Sequence, residues 1–212
     1  MTTIGILGAG RVGSTIAAGF AKAGHDVVVG TRDGAQPKDW KGPADVRFAD
    51  HRGTARDAEV VFNATPGDTA VARIGKLRSE LAGKVLVDIS NALRRGENGD
   101  PETLVYPNSS VAEHLQQELP DTRVVKTLNT MTFLVMASPE VTSAPPSVFL
   151  SGDDAQAKQT VAGLLGDLGW HQDWIVDLGD VRTARGAEAF LLLVPPIISS
   201  RGFIPFAMTI AS

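Results

Sequence analysis

The residues whose types and spacing could do chemistry begin at Gly8-Ala9-Gly10-Arg11-Val12-Gly13, a glycine pattern that leaves a hydrophobic run and enters a helical one. Such a pattern suits a pyrophosphate. Gly8 permits a tight turn, Gly10 lets the backbone approach the anion with no Cβ in the way, and Gly13 allows the helix to lie close on the strand. Arg11 and Val12 complete the cradle, and the free N–H groups of the helix start favour an anion there. The next informative position follows the second hydrophobic run, at Gly30-Thr31-Arg32. NAD enzymes usually place an acid there, about 20 residues on, to hold the ribose 2′-hydroxyl. Here Arg32 lies 19 residues after Gly13 (32 − 13). An acid would repel a 2′-phosphate, whereas Arg32 can pair with it through a bidentate hydrogen bond and stack on the adenine. Thr31 offers a hydroxyl to the same phosphate, and Lys38 is a third expected contact. The competing reading leaves Arg32 solvated and gives the ribose to Asp33. The expected dinucleotide is therefore NADP(H).

Three further strand ends carry small neutral polar residues: Asn63-Ala64-Thr65-Pro66, Ile89-Ser90-Asn91 and Leu128-Asn129-Thr130-Met131. Asn63, Thr65, Pro66, Asn91, Asn129, Thr130 and Met131 are the expected wall around a carboxamide, a ribose and a flat ring. The plainer alternative is that the Asn and Thr side chains only cap helices. No acid–base group stands out at these ends. Asp88 and Lys126 lie inside strands, and each reads equally well as a structural residue; Lys126 reads also as a substrate contact. There is no cysteine, and no two of His25, His51, His114 and His171 have metal-ligand spacing. No catalytic side chain and no metal are expected, and hydride transfer by positioning alone fits that pattern.

The elements that must position these residues alternate short β-branched runs with helical segments. Strands are predicted at Ile4–Gly8, Asp26–Gly30, Asp45–Phe48, Glu59–Asn63, Lys84–Ile89 and Arg123–Leu128. Helices are predicted at Arg11–Ala23, Arg52–Ala58, Thr69–Leu81 and Ser110–Glu118. This is the order of an α/β fold with a doubly wound parallel Rossmann sheet, here assigned to residues 1–145. A small C-terminal lobe, 146–212, is expected to pack on it, with a strand at Ser147–Ser151 and a helix at Asp153–Leu168. The stretch 94–107 reads as a surface loop. The apolar tail, 180–212, reads as helical up to Pro195-Pro196.

Composition sets the outer limits. A chain of 212 residues with 43% apolar and 21% charged residues can bury a core of useful size. A net charge of −4 argues against nucleic acid as a partner. The greasiest run, Phe190 to Ile198, is too short to span a membrane, and no signal peptide is read at the N-terminus. A cytoplasmic location is expected. The apolar tail points to a homodimer interface or an acceptor-pocket wall, the alternative being that it completes the monomer core.

Together, Gly8 to Gly13 and Gly24-His25-Asp26-Val27-Val28-Val29-Gly30-Thr31-Arg32 resemble the NADPH-dependent coenzyme F-420 reductases. Lys126 to Thr130, Ser151-Gly152-Asp153-Asp154 and Asp177-Leu178-Gly179 with Ala184-Arg185 extend the resemblance over nearly the whole chain. The resemblance implies a Rossmann domain with a small lobe, often dimeric, that moves hydride between NADP and coenzyme F-420 as co-substrate, without a catalytic acid or base. It matches Thr31 and Arg32 to the 2′-phosphate contacts, and Asn129 to Met131 to the segment facing the two rings. Two departures lie on the acceptor side: Asn129 stands where some members carry histidine, and Gly202 to Ala207 is apolar rather than basic. The alternatives are a reductase of another acceptor (a flavin, metal or imine) and a non-catalytic NADP(H) sensor.

Overall fold

In a computed structural model describing residues 1–96 and 101–210, the β-branched runs become strands wherever both of their faces are covered. The first half of the chain runs β1 (Thr3–Leu7), α1 (Arg11–Lys22), β2 (Asp26–Thr31), β3 (Arg47–Asp50), α2 (His51–Asp57) and β4 (Val60–Asn63). Then come α3 (Gly67–Ile74), α4 (Arg78–Leu81), β5 (Val85–Asp88), β6 (Leu93–Arg95), β7 (Pro101–Leu104), α5 (Val111–Glu118) and β8 (Arg123–Lys126). The remainder is α6 (Phe133–Met136), β9 (Val148–Ser151), α7 (Ala155–Asp167), β10 (Ile175–Gly179), α8 (Ala184–Ala189) and α9 (Val194–Arg201).

Eight strands form one sheet in the order β10-β9-β8-β5-β4-β1-β2-β3. All neighbours are parallel except β8 and β9, which meet antiparallel at Lys126 and Ser151. The two-residue alternation of strands explains why the runs are apolar throughout. Val60, Phe62, Val85 and Val87 enter the core that holds Ile16, Phe20 and Leu165, while Val61 and Leu86 enter the opposite core with Ile74, Leu81 and Leu115. The α/β doubly wound sheet is thus the one the pattern predicts.

The details that differ have local causes. The predicted helix over 69–81 breaks at Gly75, where a short tight turn separates α3 from α4. The prolines expected to stop a helix instead begin α9: Pro195 and Pro196 occupy its first turn, where the missing N–H groups have no intrahelical partner to lose. Within the expected loop, β6 and β7 pair antiparallel; residues 97–100 of it lie outside the described residues, as do 211 and 212 of the tail. The segment assigned to the lobe supplies β9 and β10 to the edge of the same sheet. Its tail then returns across the molecule, with the Met208 N–H donating to the Thr130 carbonyl (3.1 Å) and the Thr132 N–H to the Phe206 carbonyl (3.0 Å). Leu192, Leu193, Phe203, Ile204 and Ile210 are exposed along this tail. No helix among the described residues is long and apolar enough to cross a membrane.

Candidate active site

Strands β1 and β4 lie side by side with Leu7 opposite Asn63, and the chain leaves them towards α1 and α3 respectively. A parallel sheet opens a crevice where its crossovers diverge. The crevice here has a volume of about 1430 Å³ and lies over the carboxyl ends of the strands. Of the residues expected from sequence, Gly8, Gly10, Arg11, Val12, Thr31, Arg32, Lys38, Thr65, Pro66, Asn91 and Met131 line it. Gly13, Asn63, Asn129 and Thr130 are buried behind that lining.

The glycine turn has the geometry its residue types allow. Gly8 has φ +109°, a conformation costly for a side chain, and a Cβ there would come within 2.7 Å of the Ala64 carbonyl oxygen. A Cβ on Gly13 would overlap the carbonyl oxygen of Gly8, so α1 can approach the turn only with glycine at that position. Around Gly10, by contrast, nothing lies within 4 Å of where a Cβ would be. That open space faces the start of α1, which has no side-chain cap and no acid in its first turn. Its free N–H groups and dipole are therefore available to an anion.

At the far end of the crevice Arg32, Lys38 and Arg73 line the wall together with Asp33 and Asp39. Arg32, Lys38 and Arg73 make no ion pair among the described residues. Arg73 donates to the Thr69 hydroxyl at 3.4 Å, while its Nε is buried with no hydrogen-bond partner. A buried donor left unpaired is costly, so a guanidinium held this way in a crevice is suited to a ligand. Asp33, the competing ribose partner, is engaged by its own turn: its carboxylate accepts from the Ala35 N–H (3.1 Å) and the Thr31 hydroxyl (3.3 Å). Those hydrogen bonds, with the backbone first, hold the Asp33 carboxyl below the usual range. The Thr31 hydroxyl can also donate to the Ala35 carbonyl at 3.0 Å, so it would have to rotate to serve a phosphate.

His51 and Arg73 join this end of the crevice, and sequence reasoning missed both. Each is one of several polar residues on a short helix, and only the crossover topology brings it beside Arg32. Burial, then the charge of Arg73, hold the His51 imidazole below its ordinary pKa, with Asp50 and the Gly30 backbone pulling the other way. The fold therefore prefers the neutral ring. Above the unperturbed value of 6.5 the folded and unfolded chains both carry it neutral, and nothing is lost. As pH falls below that value the unfolded chain takes up the proton first, so stability declines until the folded ring is protonated too. His51→Gln is expected to flatten this part of the acid limb in denaturant titrations across pH. An acid limb of unchanged slope would contradict the assignment.

The floor of the crevice is a buried polar network. Asn63 accepts from the Thr65 hydroxyl (2.7 Å) and N–H (3.1 Å) and donates to Asp88 (2.9 Å). Asp88 also accepts from the Ser90 hydroxyl (2.7 Å) and from Lys126 (2.7 Å). Lys126 reaches the Ser90 carbonyl and, at 2.8 Å, Glu188 from α8. Burial works against charge on Lys126, but the two carboxylates outweigh it and hold its pKa up. Lys126 is thus a structural residue, 1% exposed, rather than a group open to the crevice. After β8 the chain turns through Leu128 at φ +59°, a left-handed conformation that a leucine rarely adopts and that costs on the order of 1 kcal/mol. It directs Asn129 towards Asn91: the Asn129 amide donates to the Asn91 side-chain oxygen (3.1 Å), and the Asn91 amide to the Asn129 carbonyl (3.0 Å). This clamp ties the ends of β5 and β8 together beside Met131.

Away from Arg32, Lys38 and Arg73 the crevice is lined by Met131, Met136, Phe133 and Phe203. Phe133 and Phe203 have ring centroids 5.9 Å apart, and the Arg11 guanidinium lies 5.5 Å from the Phe133 centroid. Phe203 comes from the returning tail, within the stretch Gly202 to Ala207 that the family resemblance puts on the acceptor side. The crevice therefore offers an anion cradle in the middle, cations at one end and an aromatic shelf at the other. That sequence of surfaces fits a dinucleotide phosphorylated on its adenosine half, with its other ring against the shelf.

Comparison with known proteins gives the same direction. Residues 3–92 match the family described as NADP oxidoreductase, coenzyme F-420-dependent. The chain is 30% identical to the metalloreductase STEAP3 of Rattus norvegicus over 91% of its length, and 26% identical to the F-420-dependent NADP reductase of Methanocaldococcus jannaschii over 71%. It spans 37% of the first and 67% of the second, so it corresponds to only about a third of the metalloreductase. Among solved structures, a candidate F-420-dependent NADP reductase from Arthrobacter sp. FB24 superposes with a TM-score of 0.89 at 40% identity, covering 100% of both chains.

Proposed function

We propose that this chain, which belongs to the coenzyme F-420-dependent NADP oxidoreductase family, transfers hydride between NADP(H) and a deazaflavin at the aromatic end of the crevice. The observation that carries the reading is the continuity of one crevice, from the unpaired Arg32 and Arg73, past the glycine cradle, to the shelf of Met131, Phe133 and Phe203. When bound there, the dihydronicotinamide supplies a hydride to the acceptor ring, and a solvent proton completes the two-electron reduction. The chain's own task is to hold and exclude. The free N–H groups at the start of α1 take the pyrophosphate, and Arg32, with Arg73 and Lys38 nearby, takes the 2′-phosphate. The Asn91–Asn129 clamp fixes the wall against which the nicotinamide lies. The methionines and phenylalanines keep water from the face where two flat rings meet. No titratable side chain is needed at the reacting carbons, because the gain comes from aligning them.

The deciding assay mixes the protein with NADPH and, separately, a deazaflavin, a flavin, a ferric chelate and a cyclic imine, following nicotinamide absorbance. Oxidation with the deazaflavin, accompanied by its bleaching, is the expected result. Oxidation with another acceptor alone would replace the deazaflavin reading and keep the crevice. Tight NADPH binding with no oxidation by any of them would make the chain a sensor.

A further inference from the structure

The register of β2 against β3 pairs Thr31 with Asp50, so the next residues, Arg32 and His51, leave adjacent strand ends side by side. His51 opens α2, is half-buried, and lines the crevice with Arg32 and, from α3, Arg73. Glycine at position 30 makes room for its ring: a Cβ there would stand 3.2 Å from the His51 Cδ2 and 3.0 Å from the Leu7 side chain. The groups around the ring are divided. Burial, Arg73 from α3 and Arg32 from the end of β2 oppose a charge on it, while Asp50 and the Gly30 backbone favour one. The Asp50 carboxylate also accepts from the Gly53 N–H at 2.6 Å. Along α2, Arg52 is paired with Glu80 of α4, and Arg56 with Asp57. Asp33, Lys38 and Asp39 line the same end of the crevice from the segment after β2. An imidazole kept neutral by burial and two guanidiniums is thus set among groups suited to an anion.

A phosphate changes that balance. A dianion between Arg32 and Arg73 offsets their opposition and adds an attraction of its own, so the ring then gains by taking a charge. We infer that His51 is a further contact of the dinucleotide's 2′-phosphate, and that it takes a proton from solvent as the dianion docks. The protonated imidazole carries two N–H donors, one of which can serve a phosphate oxygen in a charge-assisted hydrogen bond. No covalent bond to phosphorus or carbon forms or breaks; one proton moves from water to a ring nitrogen. NAD(H) has no 2′-phosphate and leaves the ring neutral. The complex with NADP(H) therefore holds more protons than the free protein, and its affinity rises as pH falls towards neutrality. This inference rests on the NADP(H) reading, and it adds that the choice between the two dinucleotides is coupled to pH through one side chain.

Calorimetric titration of the protein with NADP+ and with NAD+, at about pH 7 in phosphate-free buffers of differing ionisation enthalpy, counts the protons exchanged. The wild type is expected to take up about half a proton with NADP+ and none with NAD+. Its preference for NADP+ should then grow about threefold for each unit that pH falls between about 8 and 6.5. In His51→Gln, which keeps a neutral donor and whose fold is checked by circular dichroism, the uptake should vanish. A small release should replace it, because the 2′-phosphate, with a second pKa of about 6, loses its residual proton on meeting the guanidiniums. NADP+ binding without proton uptake in the wild type, or uptake undiminished in His51→Gln, overturns the role of His51 and leaves the NADP(H) reading in place. Equal affinity for the two dinucleotides at every pH overturns both.

Discussion

Arg32→Ala should weaken NADPH binding by roughly 10- to 100-fold while NADH binding stays nearly where it was, the span expected for losing a charge-assisted bidentate hydrogen bond of about 1.5–3 kcal/mol. The physical reason lies in what else surrounds the 2′-phosphate. Arg32 lines the crevice beside Thr31, whose hydroxyl can donate within its own turn to Asp33 and Ala35. Arg73 lies across the crevice with its Nε unpartnered, and Lys38 is on the loop between. These keep some affinity for the phosphate once Arg32 is gone, so the loss is graded rather than complete. NADH has no 2′-phosphate and meets the same glycine cradle in both proteins. A paired titration showing equal losses for the two dinucleotides would return the ribose to Asp33 and end the NADP assignment.

The largest effect on stability is expected from Lys126→Met, which should lower unfolding free energy by about 3–5 kcal/mol, the range for leaving a buried charge unpaired. Lys126 stands between Asp88, at 2.7 Å, and Glu188, at 2.8 Å, and all three are buried. Burial already pushes the Glu188 carboxyl above its ordinary value, with Lys126 opposing it. Remove the ammonium, and two carboxylates face each other with no cation between them. Thermal melting should show the midpoint fall by roughly 10 °C, given about 2–4 °C per kcal/mol for a chain of this size. The damage also reaches the crevice, because Asp88 holds Asn63, and Asn63 holds Thr65 in the lining. A variant that melts like the wild type would mean that the triad contributes nothing.

What the sequence made legible was what local geometry dictates. A turn at φ +109°, a close helix and an open approach each demand glycine, so Gly8, Gly13 and Gly10 announce the cradle in the chain itself. The strands β1, β2, β4, β5 and β8 are built on apolar, largely β-branched runs, and that too is written locally. The edge strand β10 is half exposed, its residues Ile175 to Gly179 showing no clean alternation, so it carried no such mark. Pro195 and Pro196 misled for the opposite reason: proline forbids a helix interior but suits a helix start, and spacing alone does not tell the two apart. The partners of Lys126 were illegible because Glu188 lies on α8 and meets β8 only through the fold. His51 and Arg73 reach the crevice the same way, each from a helix whose own pattern says nothing of a ligand.

The neutral strand ends point to chemistry without a side-chain acid or base, and the proposed transfer builds on that expectation. Asn63 and Asp88 face each other beneath the lining, not into it, while Asn91 is locked to Asn129. The wall proposed for the reacting end combines Met131, Met136, Phe133 and Phe203 with the amide of Asn91. Such a surface can align two rings and keep water away. The proposed function has hydride pass directly between the rings, and this yields the sharpest test. With NADPH deuterated at the transferred position of nicotinamide C4 and a deazaflavin in ordinary water, mass spectrometry of the reduced deazaflavin should find the deuterium retained on its ring carbon. Reduced deazaflavin formed with that deuterium lost to water would contradict direct transfer, and with it the account of the crevice.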